Sequence, residues 1–335
     1  MTLHFDYHFK KVIWTVDVTI FIFENFHLDT PWKQFAKTIA GGNGQGERLN
    51  QITHPQNICV DDHDQSIYIT DYTNHRIVEW KPNAITGRIV AGGNGKGNRT
   101  DQLNCPRDVI LDRQDNSIII ADRDNRRVVR WSRQTSSQGQ ILISNINCAR
   151  LALHEDGSLY VSDYAKHEVS RWKKGEKQGT VVAGGNGKGK QLNQFDTPTY
   201  VFVDRDHTLY VSDYQNHRVM KWVEGAKEGV VLVDGSSLRI QPIQSFYPGG
   251  VVIDQFGQIY VANCAGDYVM RWCEETKQGT IVVGGNGKGK EANQLNSPVG
   301  LSLDNQGNLY VADYWNDRIQ KFAIEQNKYE TYQMK

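Results

Sequence analysis

The ten residues DYQNHRVMKW, Asp213–Trp222, recur along this chain with small changes. Close copies are DYTNHRIVEW at Asp71–Trp80 and DYWNDRIQKF at Asp313–Phe322. The Asp, His and Arg of the first copy lie within six residues, a grouping that acid–base catalysis uses. A catalytic centre is rarely built several times in one chain, so the repetition favours a structural role for these side chains.

Six units of this kind follow one another along the 335 residues. Their anchor positions are Asp71, Asp122, Asp163, Asp213, Asn263 and Asp313. Each anchor ends a short β-rich run such as LYVSD, a second run such as RVMKW follows it, and one further run lies on either side. Four strands in each of six units predict an all-β fold, a six-bladed β-propeller of four-stranded antiparallel blades. Blades buried on both faces explain why the strands read as nearly continuous apolar runs.

The two ends of the repeat region predict how the ring closes. The sixth unit has three clear strands, whereas KTIAGG from Lys37 has the pattern of a fourth strand with no blade before it. We therefore expect the N-terminal strand to complete the last blade, with the tail NKYETYQ from Asn327 as the competing strand. This predicts a non-repeat extension over residues 1–36, the propeller over 37–322 and a C-terminal tail over 323–335.

The units resemble NHL repeats, whose signature pairs a strand that ends in Asp with a turn that holds Asn and then Arg. The resemblance covers roughly residues 37–322. The third unit departs from it at Lys166 and Glu168, and the fifth at Asn263, Gly266 and Tyr268. It implies a non-enzymatic interaction module that presents one propeller face to a protein or other ligand. The alternative is a channel-centred metal-dependent lyase or hydrolase, because the similar peptide-amidating lyases hold a metal in the channel with several inward-facing histidines.

Two repeated motifs are interpreted as scaffolding. In the Asp–Asn–Arg triplet, the carboxylate is expected to accept hydrogen bonds from the turn backbone while the Arg lies back towards it. The Gly-rich loops GGNGQG from Gly41 and GGNGKG from Gly92, Gly184 and Gly284 look like phosphate-binding loops. Each one, however, leads from a strand into a turn and not into a helix N-terminus. We expect these glycines to supply positive φ angles in connections between blades.

Composition limits the partners. The 38 basic and 38 acidic side chains cancel, which disfavours nucleic acid and anionic membranes as ligands. The apolar stretch VIWTVDVTIFIF at residues 12–23 is too short to span a bilayer as a helix. It is either a secretion signal or anchor that Asp17 interrupts, or an extra strand or ill-ordered extension, so no compartment is assigned. Of the five cysteines, Cys105 and Cys148 occupy nearly equivalent places in neighbouring units and form either a disulfide or two separate buried thiols.

The first strands of the blades offer few groups for catalysis. They carry one histidine, His154, at a position where the other five units have Asp. The aspartates, which we expect to cap the following turn or to form a weak cation site, are Asp61, Asp112, Asp204, Asp254 and Asp304. No nucleophile with a matching base emerges, so we predict no catalytic residue, no metal site and no cofactor.

A symmetric scaffold gains function where its symmetry breaks, and the copies differ most at the predicted channel mouth. The candidate partner-binding residues there are Asn57, Arg107, Asp108, Arg150 and Tyr200. We expect Arg107 and Arg150 to converge on a carboxylate or phosphate, with Tyr200 stacking or hydrogen-bonding beside them. The predicted ligand is an acidic segment of a protein that binds a monomeric propeller. In the alternative, Asp108 and nearby carboxylates neutralise both arginines.

A second ring of side chains is expected on the same face, four residues after each anchor. It consists of His75, Arg126, His167, His217, Asp267 and Asp317. This ring is either a hydrated surface or part of the partner-binding face.

Overall fold

The computed structural model describes residues 32–134, 138–235, 246–274 and 276–324. They form six four-stranded antiparallel sheets arranged as the blades of a propeller, as the repeats predicted. Most of the predicted extension and tail lies outside the described residues, as does the apolar stretch at 12–23. No helix in the described part of the chain has the length and hydrophobicity needed to cross a bilayer.

Each blade is built from four strands that are consecutive in sequence, except the last. Blade one contains β2 (Pro55–Val60), β3 (Ile67–Asp71), β4 (Arg76–Trp80) and β5 (Arg88–Gly92). Blade two contains β6 (Pro106–Asp112), β7 (Ser117–Asp122), β8 (Arg127–Ser132) and β9 (Gln140–Ser144). Blade three contains β10 (Cys148–Leu153), β11 (Leu159–Asp163), β12 (Glu168–Trp172) and β13 (Thr180–Gly184).

The second half of the ring repeats this plan. Blade four contains β14 (Pro198–Val203), β15 (Leu209–Asp213), β16 (Arg218–Trp222) and β17 (Val230–Asp234). Blade five contains β18 (Pro248–Ile253), β19 (Ile259–Asn263), β20 (Tyr268–Cys273) and β21 (Gln278–Gly284). Blade six contains β22 (Pro298–Leu303), β23 (Leu309–Asp313), β24 (Arg318–Phe322) and, from the start of the chain, β1 (Lys37–Gly41).

The strand β1 closes the ring by pairing antiparallel with β24, with Lys37 opposite Lys321 and Gly41 opposite Arg318. The hydroxyl of Thr38 also donates a 2.6 Å hydrogen bond to the side chain of Gln320. The predicted N-terminal closure is thus confirmed. It leaves no free edge on β24 for a competing strand, which removes a site for edge-to-edge aggregation.

The hydrophobic core lies between the blades. Blades three and four, for example, meet through Tyr160 and Val169 on one side and Leu209 and Trp222 on the other. An aromatic residue lies at or next to the end of each third strand and packs between the blades, and Trp222 is only 2% exposed. Burying such a side chain removes 150–250 Å² from water, so these residues dominate the contact between blades.

The Asp–Asn–Arg triplets have the predicted structural role, and we call each of them a turn lock. In blade four, Asp213 Oδ2 accepts a 2.7 Å hydrogen bond from Arg218 Nε and a 2.8 Å bond from Asn216 Nδ2. The terminal nitrogens of Arg218 donate to backbone carbonyls of the preceding Gly-rich connection, at Lys190, Gln191 and Gln194. The anchors Asp71, Asp122 and Asp313 bind their arginines Arg76, Arg127 and Arg318 in the same way. The lock therefore fastens a blade to the loop that enters it.

The Gly-rich loops have the predicted backbone. The first three glycines of all four loops have φ angles between +66° and +79°. At Gly184, an added Cβ would also lie 2.5 Å from the carbonyl oxygen of His167. Only glycine fits such a position without strain, so these loops are structural connections.

Candidate functional site

The guanidinium of Arg150 crosses the central channel from blade three to blade one. Its Nη2 donates to the carbonyl oxygen of Gln56 at 3.0 Å and to the hydroxyl of Tyr200 at 3.0 Å. Its Nη1 donates to the carbonyl oxygen of Arg107 at 2.6 Å. The residue is only 4% exposed, so these bonds are shielded from water and hold the side chain firmly.

Asp108 is the buried carboxylate of the same cluster, 1% exposed. It accepts a short hydrogen bond from Asn57 Nδ2, a 2.8 Å bond from the amide of Val109 and a 2.7 Å bond from the amide of Leu151. Burial raises the pKa of Asp108, while Arg150 and these amide donors oppose the rise. The carboxylate is satisfied by amides and does not form an ion pair with Arg107.

Tyr200 completes the cluster from blade four. Its hydroxyl lies 2.9 Å from the carbonyl oxygen of Gln56 and 3.2 Å from Asn57 Oδ1. The guanidinium of Arg150 lies 4.2 Å from the centroid of its ring, a cation–π contact. Together Gln56, Asn57, Asp108, Arg150 and Tyr200 form a layer that we call the polar plug.

The polar plug closes one end of a channel lined by the first strands. Below it lies a cavity of about 870 Å³ that is also lined by β9 and by the turn after β12. Its first-strand walls include the apolar Ile58, Val109, Leu151, Val201, Val251 and Leu301 and, further along the strands, the polar Asp112 and Ser302. The first-strand side chains next to the plug are thus apolar. A ligand that approaches from the loop end of the blades meets the plug and the residues outside it before it reaches the channel.

Arg107 lies at the start of β6, on the outer side of the plug. Its Nε is buried without a hydrogen-bond partner, and it forms no ion pair with any carboxylate among the described residues. Burial, with the nearby charges of Arg150 and Arg123, lowers the pKa of Arg107 to about 10. The side chain is therefore still a cation at neutral pH, and it has no counter-charge of its own.

Around Arg107 lies a ring that the sequence analysis missed. It consists of the residue after each anchor: Tyr72, Arg123, Tyr164, Tyr214, Cys264 and Tyr314. All six are half-buried, and we call them the mouth ring. The positive charge of Arg107 opposes the rise in pKa that burial causes at Tyr214 and Tyr314. The available signal was the tyrosine after the anchor in four of the six units.

An exposed aromatic side chain extends the mouth ring outward at blade six. Trp315 is 51% exposed and packs edge-on against Tyr314, with ring centroids 4.9 Å apart. His54 stacks on Tyr314 at 4.8 Å and meets Trp315 at 4.9 Å. A large apolar surface therefore lies in solvent beside the channel mouth.

The predicted second ring fastens the blades to one another. All six of its residues have positive φ angles, between +52° and +57°. Four of them accept a hydrogen bond from a backbone amide in the connection to the next blade: His75 from Cys105, His167 from Thr197, Asp267 from Ser297 and Asp317 from His54. These side chains are engaged within the scaffold, whereas Arg126 is exposed.

At the opposite face, the first-strand aspartates cap their turns as predicted. Asp254 Oδ1, for example, accepts from the amides of Phe256 and Gln258 at 2.9 Å. In the part of the chain that the structure describes, one group of three side chains could hold a metal ion: His154, Asp156 and His207. This group lies in the turns after the first strands of blades three and four, at the other end of those strands from the polar plug. All five cysteines, including Cys105 and Cys148, are free thiols.

Comparison with known proteins gives one family match. Residues 295–322 match the NHL repeat, and no curated protein matches the chain in sequence. An auxiliary nutrient binding protein from Bacteroides thetaiotaomicron is 14% identical with a TM-score of 0.66, over 88% of this chain and 77% of that one.

Two enzymes have similar folds. A gluconolactonase from Xanthomonas campestris is 12% identical with a TM-score of 0.61, over 86% of this chain and 98% of that one. Virginiamycin B lyase from Staphylococcus aureus is 12% identical with a TM-score of 0.53, over 83% and 98%. At these identities the likeness concerns the fold alone. The chain therefore carries an NHL repeat at residues 295–322, and its six closed blades make it a six-bladed β-propeller.

Proposed function

We propose that the chain is a binding module that presents its channel mouth to a protein partner, and that Arg107 receives an acidic side chain of that partner. The observation that carries this proposal is the guanidinium of Arg107, a cation inside the mouth ring without a bonded carboxylate. A charge removed from water without a partner costs several kcal/mol in a protein interior, in the range of about 2–7 kcal/mol even for a neutral polar group. A ligand carboxylate would offset this cost on binding.

The other four predicted residues belong to the polar plug, on the channel side of Arg107. Asn57, Asp108, Arg150 and Tyr200 bond to one another or to the backbone. The bond from Arg150 to the carbonyl oxygen of Arg107 holds the main chain from which the Arg107 side chain rises. A guanidinium positioned in advance loses less conformational entropy when it binds.

The surroundings of Arg107 favour a protein over a small free anion. Tyr72, Tyr214 and Tyr314 lie in the mouth ring, and the exposed Trp315 extends it. Trp, Tyr and Arg are the residue types that contribute most to protein–protein affinity. We therefore assign the central contact to Arg107 and an outer apolar contact to Trp315.

The alternative of a channel-centred lyase or hydrolase has less support. The fold is similar to that of two enzymes, but at 12% identity this does not carry an activity over. A reaction inside the channel would need polar groups on the first strands. Those strands place apolar side chains such as Ile58 and Leu301 next to the plug, and the polar Asp112 further along is engaged as the cap of its turn.

A matched peptide experiment tests the proposal. The full chain is titrated with a panel of labelled peptides rich in Asp and Glu, and with the same peptides carrying Asn and Gln. We expect acidic peptides to bind and Arg107→Gln to weaken them by about tenfold or more, the order expected for a lost charge-assisted bond. The control Arg126→Gln removes an exposed arginine from the same face.

Three results would contradict the proposal: neutral peptides that bind as well as acidic ones, an Arg107→Gln variant with unchanged affinity, or an equal loss in Arg126→Gln. A third variant, Trp315→Ala, separates the two contacts. It is expected to weaken acidic and neutral peptides alike, because it removes apolar surface and no charge.

A further inference from the structure

Blade three departs from the other blades at the turn after its first strand. His154 takes the position of the capping aspartate, and Asp156 takes over the cap by accepting a 2.8 Å hydrogen bond from the amide of Ser158. In blade four, His207 takes a position that is Gly157, Gly257 and Gly307 in blades three, five and six. Two neighbouring turns thus each carry a histidine at a position where no other blade has one.

These two histidines meet across the contact between the blades. Their ring centroids are 3.8 Å apart. His154 Nδ1 lies 2.8 Å from Asp156 Oδ1, and His207 Nε2 lies 3.9 Å from Asp156 Oδ2. One ligand atom from each residue falls within 4.8 Å of the other two. Ligand atoms about 2.0–2.2 Å from one ion lie roughly 3 Å apart, so small side-chain rotations would bring all three onto a metal.

The remaining ring nitrogens already have partners. The hydroxyl of Tyr160 lies 2.8 Å from His207 Nδ1, and the carbonyl oxygen of Arg205 lies 3.3 Å from His154 Nε2. Metal-binding histidines typically use their second nitrogen in this way, which fixes the ring orientation. His207 Nε2 and His154 Nδ1 are the nitrogens that face Asp156.

The hydrogen bond of the Tyr160 hydroxyl also differs from that of the equivalent tyrosines in blades five and six. The equivalent residues Tyr260 and Tyr310 donate to the capping aspartates of their own blades, Asp254 and Asp304. Tyr160 has no such aspartate, and its hydroxyl turns to the histidine of the next blade. The substitution at residue 154 and the substitution at residue 207 are therefore coupled through one hydrogen bond.

The backbone conformation at residue 207 is shared by the equivalent position of every blade. His207 has φ of +58°, Gln65 of blade one +59° and Asn116 of blade two +45°, and the glycines of blades three, five and six have +83°, +79° and +79°. The turn therefore accommodates a non-glycine side chain in three blades, and only in blade four is that side chain a histidine.

We propose that His154, Asp156 and His207 bind a divalent transition-metal ion that links blades three and four at the face opposite the channel mouth. Two imidazoles and one carboxylate suit zinc, nickel, copper or cobalt better than calcium or magnesium, which prefer oxygen ligands. Three protein ligands leave at least one coordination position open to solvent, because Asp156 is largely exposed. The competing arrangement is an ion pair between a protonated His154 and Asp156 with no metal.

Zn²⁺ titration of the full chain by calorimetry tests the site, with Co²⁺ absorption spectra as a second readout. We expect one equivalent of either ion to bind and to raise the melting temperature. The double variant His154→Asp, His207→Gly restores the residues of the other blades and should fold normally. It is expected to lose stoichiometric binding, and Tyr160→Phe to weaken binding by about 10–100-fold.

The matched control is His63→Gln, because His63 is an exposed histidine in the equivalent turn of blade one beside Asp62 and Asp64. Binding in this variant should equal that of the unchanged chain. The proposal is overturned if no stoichiometric binding occurs, if the double variant binds as well as the unchanged chain, or if His63→Gln loses binding equally. A Co²⁺ spectrum with a thiolate charge-transfer band would assign the ion to a cysteine and would overturn it too. None of these variants touches the channel mouth, so acidic-peptide binding is expected to stay unchanged.

Discussion

The carbonyl oxygen of Arg107 accepts a 2.6 Å hydrogen bond from the guanidinium of Arg150, so one arginine of the channel mouth holds the backbone of the other. The two side chains have different surroundings. Arg150 donates from both terminal nitrogens to carbonyl oxygens and to a tyrosine hydroxyl, and only its Nε is buried without a partner. Arg107 Nε is also buried without a partner, and its guanidinium forms no ion pair with a carboxylate among the described residues. Arg107 is therefore the arginine that we propose receives an anion.

Replacing Arg107 with Met is expected to stabilise the fold and to remove acidic-peptide binding. The change exchanges an unpaired, largely buried cation for an apolar side chain of similar length, which we expect to raise the free energy of unfolding by about 1 kcal/mol. Urea denaturation measures the change. Arg126→Met at an exposed position should alter stability by no more than about 0.5 kcal/mol. A clear loss of stability in Arg107→Met would mean that the residue is scaffolding.

Replacing Arg218 with Ala is expected to have the opposite effect. The change leaves the carboxylate of Asp213 buried without its cation and removes three further bonds to the loop carbonyls. Breaking a buried pair in this way costs about 3–5 kcal/mol. Thermal and urea denaturation should show this loss, while peptide affinity stays unchanged at temperatures where the fold survives. Normal stability with abolished binding would show that the lock is a binding site.

Stability is expected to fall below pH 6.5 because of His75. Its Nδ1 accepts a hydrogen bond from the amide of Cys105, and burial lowers the pKa of the ring below its ordinary value of 6.5. Between the unfolded and folded pKa values, only the unfolded chain binds the proton, so the stabilisation present above pH 6.5 is lost as the pH falls. His75→Asn keeps an acceptor and tolerates positive φ. Its urea midpoint should depend less on pH over this range, and an identical profile would exclude His75 as the cause.

Two glycines of one loop separate backbone strain from steric clash. Gly187→Ala introduces a Cβ at φ of +76° with open space around it, whereas Gly184→Ala at +71° also brings the Cβ to 2.5 Å from the carbonyl of His167. We expect Gly187→Ala to destabilise the fold by about 1 kcal/mol and Gly184→Ala by at least about 1 kcal/mol more. Equal losses in denaturation experiments would mean that the clash relaxes without cost.

The features that follow from the sequence are those set by short-range patterns. Four strands in each of six units, the positive φ of the Gly-rich loops and the lock between Asp213 and Arg218 all depend on residues that lie close together along the chain. Such local rules act in the same way in every copy of a repeat. Ring closure by β1 was also predictable, because a fourth-strand pattern at Lys37 was left without a blade and the sixth unit was left without a fourth strand.

The contacts of the channel mouth and of the histidine cluster needed the tertiary structure. Arg150 and Tyr200 reach the carbonyl oxygen of Gln56 across 94 and 144 residues of sequence, and Tyr160 reaches His207 across 47. Only the closed ring brings these groups together. The sequence determined which residues differ between the blades. The ring decided which of them satisfy one another and which, like Arg107, are left in a confined space without a partner, because that depends on distances between blades that no local pattern encodes.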